Sequence, residues 1–199
     1  TTEIYTLSLH DALPISLKDV EKYSKSPRFE KTAKAIQRYT GVAYEALSYD
    51  TLDKNAQKYI EENVVIFSNL FGAILAKDSI PDYKYKQGAK LPNINIETYM
   101  KSEFSPFLDG NLGDVVVDLR AGYYEKFYTP KCQVVTYKFL KDGKVVSHWA
   151  KYYRGIVART LAQNDIKTLN ELFDMPISGL KLKEITESKN IKTFICDVD

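Results

Sequence analysis

Apolar positions along this chain recur first at helical and then at strand spacing. Phe29, Ala33, Ile36, Tyr39 and Val42 repeat every three or four residues, which predicts a helix. Pro27, with its fixed φ, suits the first turn, and Gly41 is free to adopt a left-handed cap at the end. Residues 43–47 read as extended or irregular. Leu52, Ala56, Tyr59 and Ile60 mark the inner face of a second helix over residues 48–63, capped by Asp50 or Thr51. Val64-Val65-Ile66-Phe67 is then an unbroken run of β-formers, as expected of a strand covered on both faces. Residues 68–76 read as a short helix or turn. Residues 83–91 alternate aromatic and basic side chains like a strand, with Gly88 as a bulge. A helix over 94–103 is expected to end at Ser105-Pro106, and residues 109–113 to form a loop. Val115–Leu119 is the second buried strand.

Asp142-Gly143 separates two apolar runs, 133–140 and 144–149, and predicts a type I′ hairpin. Residues 148–164 follow as an amphipathic helix. On it Trp149, Tyr153, Ile156, Val157 and Leu161 form a core-facing stripe. Lys151, Arg154 and Arg159 share the other side with the small residues Gly155, Ala158 and Ala162. Such a face is either an approach for a large anion, a solvated surface, or a seat for another helix. A last helix over 167–173 and strands over 180–185 and 193–198 complete the pattern. Helices interleaved with isolated strands and a hairpin predict a single α/β domain with a mixed β-sheet, a C-terminal β-hairpin and flanking helices.

Composition narrows this only modestly. The 199 residues suit one domain, with ordinary apolar (44%) and charged (27%) content and 15 tyrosines, several beside lysines. Two distant cysteines, Cys132 and Cys196, form no metal-ligand spacing and fit a reducing cytoplasm. No apolar run approaches the ~20 residues of a membrane span. Residues 1–15 resemble the in-frame translation of a common sequencing-adapter oligonucleotide, and are set apart from the domain expected over residues 16–199. Without Glu3 and Asp11 of that segment the formal net charge of +2 becomes +4, and His148 is the one remaining histidine.

The chemistry this leaves is cationic. No glycine-rich phosphate loop or nucleophile elbow is present, and no spacing points to a metal or cofactor. Lys84, Lys86 and Lys90 lie on one segment, Lys126 and Lys131 on another, and Lys151, Arg154 and Arg159 on the helix, each beside tyrosines. Cations neutralise phosphates while rings stack on bases or pack against sugars. Composition leaves open a nucleic-acid cleft and a pocket for a small phosphorylated or carboxylated ligand, the latter with Asp78, Glu125 or His148 as acid or base.

Four blocks in order, over residues 29–194, resemble the YaaA family of bacterial peroxide-stress proteins. They are Gly41-Val42-Ala43-Tyr44; Ser68-Asn69-Leu70-Phe71-Gly72 with Asp78, Tyr83-Lys84 and Gly88-Ala89-Lys90-Leu91; Val115–Leu119 with Tyr124, Lys126 and Pro130-Lys131; and Ala150-Lys151-Tyr152-Tyr153-Arg154-Gly155 with Arg159. The resemblance implies a cytoplasmic protein that limits oxidative damage, binds DNA in a basic cleft and is linked to lowering free iron, with no established reaction. Carried onto this chain, it implies phosphate contacts from Lys84, Lys90, Lys126, Lys131, Lys151, Arg154 and Arg159. Tyr83, Tyr124, Tyr153 and Gly155 would support them. The family's opening strand and motif, and its helix-hairpin-helix element, have no counterpart in this sequence.

Overall fold

The computed structural model describes residues 4–7, 31–83, 85, 88 and 93–198. In chain order the elements are β1 Ile4–Leu7, β2 Thr32–Lys34, α1 Ala35–Arg38, α2 Val42–Leu47, α3 Lys54–Asn63, β3 Val64–Ser68, β4 Gly72–Leu75, β5 Ser79–Pro81 and α4 Ile96–Asn111. The second half comprises β6 Val115–Leu119, α5 Gly122–Glu125, β7 Gln133–Lys141, β8 Lys144–Val145, α6 Ser147–Gln163, α7 Leu169–Asp174, β9 Leu180–Ser188 and β10 Ile191–Val198.

One mixed sheet runs β4-β3-β1-β6-β7-β10-β9, with β8 paired to the end of β7. Strands β3, β1, β6, β7 and β10 are parallel; β4 and β9 close the edges antiparallel. The alternation inside β3 shows why its whole sequence is apolar. Val64 and Ile66 enter a core with α1, α2, α3 and α6, whereas Val65 and Phe67 enter a second core with α4 and the 120–128 segment. All five β3 residues are buried. The result is the predicted α/β domain with a mixed sheet. Strand β1 comes from the adapter-like segment and lies between β3 and β6, with Tyr5 opposite both Val64 and Val117. A parallel strand there satisfies the ladder groups of both neighbours.

Several boundaries differ from the sequence reading for local reasons. The helix expected up to Gly41 is a short strand and a single turn, because Thr32–Lys34 pairs with Ser79–Pro81. Residues 43–47, expected to be extended or irregular, belong to the helix Val42–Leu47; Gly41, at φ 117°, precedes that helix instead of ending one. The next helix starts at Lys54 because Asp53, not Asp50 or Thr51, is its cap, accepting the Asn55 and Ala56 N–H groups at 2.9 Å each. Asp53→Ala should therefore cost about 1 kcal/mol in urea denaturation, whereas Asp50→Ala should leave the midpoint nearly unchanged.

Residues 72–75, expected as helix or turn, are a strand returning along β3, and Gly72 at φ 71° has no room for a Cβ beside the Phe104 ring. Helix α4 runs through Pro106 to Asn111, into the expected loop. Pro106 and Ser102 are exposed, so the carbonyl left without its N–H partner is open to water. Asp142 (φ 51°) and Gly143 (φ 74°) do turn the predicted hairpin, but its second strand stops at Val145 and residues 147–149 already belong to α6. The last helix starts later than expected, at Leu169, where Thr168 and Glu171 form a capping box.

Candidate functional site

Parallel strands end together, and the crevice beyond their carboxyl ends is where an open α/β sheet collects ligand-facing groups. Here β3 ends at Ser68 and β6 at Leu119, with Arg120 next in the chain. Ser68 Oγ accepts the Leu70 and Phe71 N–H groups at 3.1 and 3.2 Å, which folds the chain over the strand end. It also shares a 2.8 Å hydrogen bond with the Tyr83 hydroxyl, which is 2.5 Å from that of Tyr39. Tyr39 stacks on Tyr44, and Phe71 meets Tyr83 edge to face. The Tyr44 hydroxyl is buried without a hydrogen-bond partner and faces Tyr124 and Tyr83. Burial pushes the pKa values of Tyr39, Tyr44, Tyr83 and Tyr124 upward, so these phenols stay neutral.

On the β6 side Arg120, 4% exposed, holds the segment that carries Tyr124, Glu125 and Lys126. Its Nε and Nη2 donate to the two Asp118 carboxylate oxygens at 2.9 and 2.6 Å, and Nη1 donates to the Tyr124 and Tyr128 carbonyls at 3.1 and 2.9 Å. The guanidinium also lies 4.8 Å from the centre of the Phe67 ring.

Arg154 comes to this crevice from α6. It is half-buried, and burial lowers its pKa against the opposing pull of the Asp118 and Glu125 carboxylates. Among the described residues it makes no hydrogen bond or ion pair. Five donors in a planar fork, partly withdrawn from water, have the geometry to grip an anionic group. Lys151, one turn earlier on α6, is half-buried. Lys126 is exposed, 3.3 Å from Glu97 and 5.6 Å from the centre of the Tyr123 ring. Tyr123 receives hydrogen bonds from the Gly88 backbone and the Asn69 side chain, which brings Gly88 to the same edge. The side chains of Lys84 and Lys90 lie outside the described residues.

The remaining sequence candidates take other parts. Arg159 Nη1 donates to the Leu47 and Ser48 carbonyls at 2.8 and 3.2 Å and to Thr51 Oγ1 at 3.0 Å, so it caps α2 at its negative end. Lys131 is paired with Asp109 at 2.5 Å. It precedes Gln133, which pairs with Val115 at the amino end of β6. At about 3.3 Å per residue, the strand sets it roughly 15 Å from the carboxyl edge. Tyr153 is 5% exposed and stacks on Phe139 inside the core, whereas Trp149, expected in that stripe, is 46% exposed. Gly155 packs against α2: an added Cβ would run into the Ala43 carbonyl and the Ala46 methyl. The small-residue face is thus a helix seat. Asp78 caps a turn through the Leu75 N–H at 2.8 Å, and His148 stands in the first turn of α6, not on a hairpin strand. Sequence reasoning missed the roles of Asp118 and Arg120, which the charged end of an apolar strand signals.

Residues 7–186 match the family model described as peroxide stress protein YaaA. An uncharacterized protein of Campylobacter jejuni, Cj0984, is 51% identical over 178 residues, covering 89% of this chain and 72% of that protein. The UPF0246 protein Cgl1995/cg2186 of Corynebacterium glutamicum is 33% identical over 209 residues, covering 97% and 84%. The UPF0246 protein CE1889 of Corynebacterium efficiens is 34% identical over 203 residues, covering 94% and 81%. No helix among the described residues is long and apolar enough to cross a membrane.

Proposed function

This chain belongs to the peroxide stress protein YaaA family, and on that premise we propose that it acts in the oxidative-stress response by binding DNA, with Arg154 at the centre of a basic cleft. The observation that carries the reading is the unpartnered, half-buried guanidinium of Arg154 at the carboxyl edge of the sheet. Lys126 and Lys151 flank it on two elements, and Gly88, between Lys84 and Lys90 in the sequence, bonds to Tyr123 at the same edge. The Lys126–Glu97 pair is exposed, and such pairs are worth little, so exchanging Glu97 for a phosphate is inexpensive. Contacts of this kind set affinity with little sequence preference.

Fluorescence anisotropy with a labelled duplex tests the proposal. With Arg159 and Lys131 engaged elsewhere, five cations remain: Lys84, Lys90, Lys126, Lys151 and Arg154. Full neutralisation of five phosphates gives a slope of log K against log salt of about −4.5. Arg154→Ala should weaken binding roughly tenfold or more, the worth of a hydrogen bond to a charged group, while Lys131→Ala should leave it unchanged. Affinity that ignores salt, or that survives Arg154→Ala, overturns the reading.

A second reading is favoured by the recess itself. Arg154 is half-buried with Asp118 and Glu125 facing it, an arrangement that suits one small anionic group, phosphorylated or nucleotide-like, as the substrate of an enzyme. A mononucleotide that binds as tightly as the duplex supports this reading over the first.

A further inference from the structure

The start of α6 carries two aromatic side chains that neither the core nor the crevice of Arg154 uses. Trp149, the one tryptophan of the chain, is 46% exposed, and Tyr152 is 40% exposed. Tryptophan is highly buried on average, so this degree of exposure asks for a reason. Residues three apart on a helix are surface neighbours, which puts the two rings side by side. Tyr152 also meets the core residue Tyr153 edge to face, with ring centres 5.3 Å apart. At roughly 100° per residue, Arg154 lies about 140° round the helix from Trp149, so the pair stands outside the crevice, on the far side of the same helix end. Lysines border it. Lys141 Nζ is 5.8 Å from the centre of the Trp149 ring. In the β7–β8 hairpin Lys141 and Lys144 are directly opposite each other and both are exposed, with Asp142 at the turn as the one carboxylate between them. Like charges opposite each other destabilise a strand pair, and an anion lying across both reverses that cost.

An exposed ring pair flanked by cations is the pattern by which proteins hold unpaired nucleotides: bases stack on the rings and the cations follow the phosphates. We propose that Trp149 and Tyr152 are a stacking platform for unpaired bases of DNA, with Lys141 and Lys144 on the neighbouring phosphates. This rests on the DNA reading above and deepens it: a duplex occupies the cleft of Arg154, and a single-stranded extension of it crosses the first turns of α6. A base is flat and covers a ring face to face, whichever base it is, so the platform has little sequence preference. An acidic peptide would meet the same lysines, and the test separates it.

The probes, added to the full chain, are a labelled blunt duplex, the same duplex with a short thymidine extension, the same duplex with an abasic extension, and oligoglutamate. The thymidine extension should raise affinity roughly tenfold over the blunt duplex, the worth of one or two stacked bases, and should quench the fluorescence of Trp149 saturably. The abasic extension carries the phosphates without the bases; it should recover only a small part of the gain and leave the fluorescence unchanged, as should oligoglutamate. Trp149→Ala should bring the thymidine-extended duplex down to the affinity of the abasic one, whereas Trp149→Phe, which keeps a ring, should retain most of the difference. The proposal fails if the two extensions bind alike, if Trp149→Ala keeps the difference between them, or if oligoglutamate and not thymidine quenches Trp149. The DNA reading of the cleft fails separately, when the blunt duplex does not bind. Oligothymidine alone then decides the platform: saturable quenching of Trp149 upholds it, and unchanged fluorescence overturns it.

Discussion

Gly155→Ala should destabilise the protein by roughly 2–3 kcal/mol, although the same change in an isolated helix stabilises it by about 1 kcal/mol. The sign reverses because the position is occupied from outside. A Cβ at residue 155 would collide with the Ala43 carbonyl and lie 2.8 Å from the Ala46 Cβ. Those are backbone and stub atoms of α2, which cannot swing aside as the tip of a long side chain does. Either α2 and α6 separate, which opens voids beside Ala158 and Ala162, or α6 bends. Gly110, near the end of α4, is the control: a Cβ there meets nothing within 4 Å. Gly110→Ala should stabilise by a few tenths to about 1 kcal/mol. Urea denaturation of the two variants separates the readings of the small-residue face. Were it an approach for an anion, Gly155→Ala would lose ligand affinity and gain stability; as a helix seat, it loses stability first.

What could be read in the sequence depended on how local the deciding interaction was. Val64–Ser68, Val115–Leu119 and the turn at Asp142-Gly143 were legible because each is specified by its own residues: a buried strand needs apolar side chains on both faces, and a type I′ turn needs residues that tolerate positive φ. The region around Thr32–Lys34 was not, because its strand exists only through pairing with Ser79–Pro81, more than forty residues away. Candidate cations were visible as residue types, but their fates were decided at a distance. Arg159 is taken by the Leu47 carbonyl, 112 positions away, and Lys126 by Glu97. Lys131 is set apart by strand register, which no charge pattern encodes. Arg154 is set apart by burial beside Asp118 and Glu125 without a hydrogen bond to either, which its place on the helix alone does not reveal.

Arg120→Ala should be among the most damaging single substitutions in the chain, costing roughly 3–5 kcal/mol, as removal of one member of a buried ion pair does. Three acceptors lose a donor at once. Asp118, with a side chain 14% exposed, loses a bidentate partner, and the Tyr124 and Tyr128 carbonyls lose the guanidinium, though Tyr124 keeps the Phe127 N–H at 3.0 Å. The Phe67 ring loses the guanidinium beside it, 4.8 Å from its centre. A double-mutant cycle with Asp118→Ala should show strong coupling. The second change removes the carboxylate that lost its bidentate partner, so the double variant should be less destabilised than the two single costs combined. It should not return to wild type, because neither carbonyl regains the guanidinium donor. The local consequence is as specific as the global one. The 120–128 segment carries Tyr124, Glu125 and Lys126 to the carboxyl edge, and Arg120 is what ties it there. Well below the melting temperature, Arg120→Ala should therefore weaken duplex binding even though Arg120 is too buried to meet a phosphate. The near-isosteric Arg120→Lys should recover charge but not the two-pronged grip, leaving stability between the two. A stability loss below about 1 kcal/mol, typical of an exposed ion pair, would remove Arg120 from its place as the clamp of the site.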